Sequence, residues 1–186
     1  MVREVRVFGD PVLRERSSRI TAFDKGLLTL AEDMIETMRA EQGVGLAAQQ
    51  VGITQAICVV EVPEDHDVDE QGNRENPDLT MPAVLVNPSI SPLGEESWTL
   101  DEGCLSFPGI TAAIERTVGI NLVYQDLQGE SVQVELRGFV ARVVQHEVDH
   151  LKGILFTDRM THVKTVALSG RLKRMRRETQ ERLRIA

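Results

Sequence analysis

A chain of 186 residues, 41% hydrophobic and 27% charged, is long enough for one domain with its own core and short for two; its longest apolar runs, "ICVV" and "AVLV", cannot cross a bilayer. A net charge of −8 argues against a general nucleic-acid surface, because a phosphate backbone is bound by positive charge, so neither membrane nor DNA is expected as a partner. Two cysteines, Cys58 and Cys104, make no disulfide framework, and an N-terminus that interleaves charges with valines lacks the apolar run of a secretory leader, so the expected location is the cytoplasm.

In chain order, residues 24–41 are predicted as a helix: Leu27, Leu28, Ala31, Met34, Ile35 and Met38 recur at helical spacing behind Asp24 as N-cap, with Gly43 as the C′ residue. "QAICVVEV" reads as a short buried strand with Cys58 as a small core hydrophobe. Residues 64–80 hold seven acids and one arginine and are expected to be a solvated surface insertion, since strand-like "AVLVNPSI" resumes directly after them. "VGINLVYQ" and "SVQVELRG" around "DLQG" form a hairpin pattern with Val132, Val134 and Leu136 alternating. A helix over about 139–151 stops at Gly153, and a basic amphipathic helix over 164–184 places Leu168, Leu172, Met175 and Leu183 on one stripe. His66 and His162 read as surface residues.

The helix over 139–151 carries "QHEVDH". Positions i and i+4 share a face, so His146 and His150 can aim at one point with Glu147 beside them. Such a pair can hold a divalent ion whose open position takes a water, with the glutamate accepting its proton. A buried structural helix with a chance match is the plainer alternative, and Val143, Val144, Val148 and Leu151 do crowd the pair. A third ligand is needed. Three residues beyond Gly153 stands Phe156, not histidine, and residues 159–177 contain no Asp or Glu. Asp158 and Glu178 remain downstream. Upstream, Cys104 in "DEGCLSFPG" lies among a glycine, polar residues and a loop-forming Pro-Gly, where a thiolate ligand fits as well as core filling does.

With "GVGLAAQQ" at 43–50, "EGCLS" at 102–106 and "QHEVDH" at 145–150 in one order, supported by "FGDPVLR" near the N-terminus, the sequence resembles the peptide deformylases over most of residues 1–165. The resemblance implies hydrolytic removal of the formyl group from the N-terminal formylmethionine of nascent peptides. It implies Cys104, His146 and His150 as metal ligands, with Fe(II) as the expected ion and zinc or nickel taken up in purified material. It further implies Glu147 as the acid-base group and the Gln50 amide and Leu105 N–H as donors to the oxyanion. Gly45, Gly103, Val44, Phe139 and Val143 are the expected substrate wall. Three positions depart from or extend the pattern: Gln49 replaces the more usual Pro or small polar residue, Arg142 stands where many relatives are apolar, and Arg116 aligns with a family arginine of open role. The basic tail, seven Arg or Lys against two Glu over residues 171–184, is either a packed helix with a solvated face or a dock for ribosomal RNA.

The expected protein is therefore α+β, a single catalytic domain over 1–186, with antiparallel strands around a central helix carrying HExxH and a C-terminal helix. A zinc endopeptidase is the rival within hydrolases, disfavoured by Phe156 and the carboxylate-free stretch. A catalytically silent metal or formyl-peptide binder is the rival outside them, disfavoured by Glu147 and Gln50, which metal binding alone does not require.

Overall fold

Asp24 opens the first helix because its carboxylate accepts the Leu27 N–H at 3.1 Å, and the apolar residues behind it close on one face: α1 (Lys25–Ala40) buries Leu27, Leu30, Ala31, Met34 and Met38. This computed structural model describes residues 1–185. α1 ends one residue earlier than Gly43 would have it. Gln42 takes the left-handed conformation (φ 56°) and returns its N–H to Arg39, while the Gly43 N–H reaches Met38 at 2.9 Å, a Schellman ending with Gln42 as C′. Gly43 leaves room for a neighbour instead: a Cβ there would lie 2.8 Å from Leu105 Cδ1.

Five antiparallel strands form the main sheet in the order β1-β2-β3-β6-β7: β1 (Gly45–Ala47), β2 (Ile57–Val60), β3 (Ala83–Pro92), β6 (Gly119–Gln125) and β7 (Ser131–Arg137). The short β1 and β2 are buried throughout, as continuous apolar strands must be, and Cys58 sits in β2 with no exposure. β3 is bulged between Val86 and Ser89, where Asn87 turns to φ 51° and ties itself to the Ile20 backbone and to Gln125.

Two strands were not expected. β4 (Ser97–Gly103) and β5 (Thr111–Thr117) pair only with each other, and β5 alternates strictly with Ala112, Ile114 and Arg116 inward. The single buried residue of β4 is Glu102, whereas Trp98 and Leu100 are each 44% exposed. The one buried side chain of β4 is thus a carboxylate, and Trp98 and Leu100, of the same parity as Glu102, stay largely exposed, so no buried apolar alternation marks that strand.

The second helix, α2 (Gly138–Leu151), packs between the two sheets with every residue but Phe139 buried. It stops at Gly153 (φ 72°), where any Cβ would strike the Arg14 carbonyl. α3 (His162–Ile185) lies on the N-terminal segment. Leu168 is buried and Leu172 and Met175 are half-buried, but the stripe continues through buried Thr179 and not through Leu183, which is 41% exposed. Arg176 lies 5.0 Å over the Phe8 ring, Phe8 stacks on Phe107 at 4.7 Å, and Phe107 meets Phe156 edge-on at 4.8 Å.

The acidic segment 64–80 is less solvated than its composition suggests. Asp67, Asn76 and Leu79 are buried: Arg74 donates to Asp67 and to the Leu79 carbonyl, and Asn76 brackets the peptide of Arg137, accepting its N–H at 2.8 Å. Polar residues can anchor a loop when they satisfy one another. No helix among the described residues is long and apolar enough to cross a membrane.

Candidate active site

The turn after β1 and the loop after β4 bring the two upstream motifs to the face of α2. Residues 6–8 hold them together, with the Arg6 N–H on the Gln50 carbonyl at 2.7 Å and the Phe8 N–H on the Ser106 carbonyl at 2.8 Å. His146 and His150 stand one turn apart with ring centres 5.0 Å apart. One nitrogen of each and the Cys104 sulfur all lie within 4.8 Å of one another, and Cys104 Sγ is 3.3 Å from His150 Nε2. One thiol and two imidazoles at this separation are a donor set suited to a divalent d-block ion.

Around His146 lies a charge network that sequence reasoning missed. Its Nδ1 faces Glu102 Oε2 at 3.1 Å, which leaves Nε2 for the cluster. Glu102 also accepts two bonds from Arg116 (2.6 and 2.9 Å) and one from Arg142 (2.6 Å), and Arg116 reaches on to Asp149, which Arg159 clamps from outside. Burial alone would raise the Glu102 carboxyl; hydrogen bonds from His146 and Arg116 outweigh it and hold the group at about 2. Glu102 was on view in "EGCLS", but nothing in its spacing distinguished a buried anchor from a solvated acid. Arg142 spends its guanidinium on Glu102 and on the carbonyls of Ile114 and Trp98, so its charge is absorbed in the wall.

Glu147 is 3% exposed, and its Oε2 has no hydrogen-bond partner among the described residues. Burial pushes its carboxyl up to about 7, against the opposing pull of His146 and Arg116. A carboxyl near neutrality can both take and return a proton. Gly45 makes room for it: a Cβ on Gly45 would run into the Glu147 carboxylate. Gln50, 1% exposed, accepts the Ala47 N–H on Oε1 at 2.8 Å, which turns its NH₂ toward Ser106 Oγ (3.3 Å) and Cys104 Sγ (3.5 Å).

A cavity of about 440 Å³ opens beside these groups, within the size range of small-ligand sites. Val44, Gly45, Gly103, Leu105, Phe139 and Val143 all line it, together with Gln50, Cys104, His146 and Glu147. His150, 1% exposed, is in the donor cluster but not in the cavity wall. His66 is on the surface, as expected, yet its ring packs 5.7 Å from Phe139.

Residues 2–166 match the sequence model of the polypeptide deformylases. The chain belongs to the polypeptide deformylase family. Among curated relatives, the peptide deformylase of Thermotoga maritima is 45% identical over 168 residues, 90% of this chain and 93% of that one. The crystal structure of the Thermotoga maritima peptide deformylase superposes with a TM-score of 0.75 at 45% identity, covering 87% of this chain and 99% of that one. That of the Ehrlichia chaffeensis peptide deformylase gives 0.83 at 34% identity over the whole of both chains. The family model ends at residue 166, short of most of α3, whereas the Ehrlichia chaffeensis structure covers that helix as well.

Proposed function

We propose that the chain removes the formyl group from the N-terminal formylmethionine of newly synthesised polypeptides, with Cys104, His146 and His150 holding a divalent metal, Fe(II) in the cytoplasm and zinc or nickel after purification. The observation that carries the reading is the thiol and two imidazoles within 4.8 Å, beside the buried Glu147 and an open cavity, in a deformylase-family chain. A divalent ion there would supply Lewis acidity, bringing the pKa of a water in the cavity toward neutrality.

Glu147 accepts the proton of the attacking water and returns it to the departing amine, a task suited to a carboxyl raised to about 7. The Gln50 NH₂, aimed by the bond its oxygen makes to Ala47, and the Leu105 N–H donate to the oxyanion. Losing one such donor costs about 3 kcal/mol of transition-state stabilisation. Glu102 fixes the His146 ring through Nδ1. Val44, Phe139 and Val143 provide the apolar wall for the methionine side chain, and Gly45 and Gly103 let the peptide main chain approach.

The deciding measurement is formate release from formyl-Met-Ala-Ser with anaerobically loaded enzyme. Glu147→Gln is expected to keep its metal and lose turnover by about 10²–10⁴-fold. Equal rates would remove Glu147 from the mechanism.

The basic face of α3 is proposed to dock on ribosomal RNA, supported by the excess of Arg and Lys over residues 171–184 and by the exposure of Arg177, 71%. Neutralising Arg177, Arg182 and Arg184 together should weaken cosedimentation with ribosomes at low salt and leave formyl-Met-Ala-Ser hydrolysis unchanged. Undiminished cosedimentation rejects the docking role.

A further inference from the structure

We infer that Gln49 is a positioning residue for His150, acting through that histidine's main-chain carbonyl. The inference rests on the reading of His150 as a metal ligand. The two imidazoles of α2 are held in different ways. His146 is fixed at Nδ1 by the Glu102 carboxylate, 3.1 Å away. His150 has no such device: its Nδ1 is buried and no described residue hydrogen-bonds to it. Its ring is oriented from its backbone and by packing, and that backbone is the last turn of α2, where carbonyls have no partner within the helix.

Each of the last three carbonyls of α2 is met from outside the helix. Asp149 O accepts the Lys152 and Ile154 N–H groups at 2.9 and 3.0 Å, and Leu151 O accepts the Ser17 N–H at 2.9 Å. His150 O accepts the Gly153 N–H at 2.9 Å and, on its other side, Gln49 Nε2 at 2.8 Å. Gln49 has no exposed surface, and its nitrogen also donates to Ser17 Oγ at 2.6 Å. Its Oε1 is buried with no hydrogen-bond partner among the described residues, which costs free energy, so the amide is held there by its nitrogen. Gln49 therefore joins the His150 peptide to the turn that carries Gln50 and to the segment around Ser17. The carbonyl bond holds the end of α2 at the height where the His150 Nε2 faces the Cys104 sulfur.

Gln49→Met keeps the side chain's length and removes its donor. Zn(II) affinity of the metal-stripped protein, measured by competition with a chromogenic chelator, and the absorption spectrum of the Co(II)-loaded protein read the site without turnover. The variant is expected to bind Zn(II) about tenfold more weakly than wild type and to shift the cobalt bands. Ser17→Ala, which removes the shortest of the amide's other contacts, should change both in the same direction by a smaller factor. Thr37→Val in α1 deprives the Arg3 N–H of its acceptor outside the cavity wall and serves as the control for general loss of stability; it should leave Zn(II) affinity unchanged. Unchanged affinity and spectrum in Gln49→Met, or an equal loss in Thr37→Val, overturns the inference. If Gln49→Met does not fold, Ser17→Ala decides, and wild-type affinity there overturns it. Wild-type protein that takes up no Zn(II) overturns the metal-site reading instead.

Discussion

The carboxylate of Glu147 fills the space where a Cβ on Gly45 would go, and that Cβ would come 2.9 Å from Glu147 Cδ. Because the backbone of β1 is held by β2 on one side and packs against α2, the carboxylate must move instead. Gly45→Ala should therefore keep its metal and lose about 10²-fold in formate release, since small displacements of a reacting group have that effect. The two thiols make a second contrast. Cys58 has no exposure, and burial raises its pKa well above the ordinary thiol value, while Cys104 is partly exposed in the cavity wall. In the metal-free protein, titration with a disulfide reagent should find one fast thiol, lost in Cys104→Ala and shielded by Zn(II), and a second that reacts only on unfolding. The burial of Cys58 and the placing of Glu147 beside the histidine pair on one helix were legible from neighbouring residues alone. Glu102 was not, because its partners Arg116, Arg142 and His146 are distant in the chain.

At the scale of elements, β4 and β5 exist to deliver charge to α2. Glu102 at the one buried position of β4 meets Arg116 from β5 and both Arg142 and His146 from α2. Glu102→Gln should destabilise the protein by about 3 kcal/mol near neutral pH, the scale for breaking a buried ion pair by removing one partner. The folded carboxyl stands at about 2, below its ordinary 4.5, so its contribution is complete above pH 4.5 and fades as pH falls toward 2. Urea midpoints of wild type and variant should differ most at pH 6, draw closer below pH 4.5 and converge only near pH 2. A gap that stays constant across that window would assign the stabilisation to packing. Helices α1, α2 and α3 were legible because a 3.6-residue apolar period survives in each. The β4–β5 pair was not, because β4 buries Glu102 alone and leaves Trp98 and Leu100 each 44% exposed, while the buried face of β5 mixes Arg116 with Ala112 and Ile114.

On the scale of the whole molecule, α3 closes the N-terminal face. Leu168, Leu172 and Met175 cover Phe8 and Phe107, and Arg171 donates to the Gly109 carbonyl at 2.6 Å, on the rim of the cavity. Removing residues 171–186 should lower stability by about 2 kcal/mol from the apolar area uncovered, measured as a fall in Tm, so charge neutralisation tests ribosome docking more cleanly than truncation does. The sequence by itself determined the α+β class, the helix that carries His146, Glu147 and His150, and the upstream segments that had to meet it, because local periodicity and short motifs are properties of neighbouring residues. Only the tertiary structure decided which side chains hold the histidines, which glycines make room, and that polar Asp67 and Asn76 are anchors inside an acidic loop. Those assignments depend on distances between residues far apart in the chain, and no local pattern encodes them.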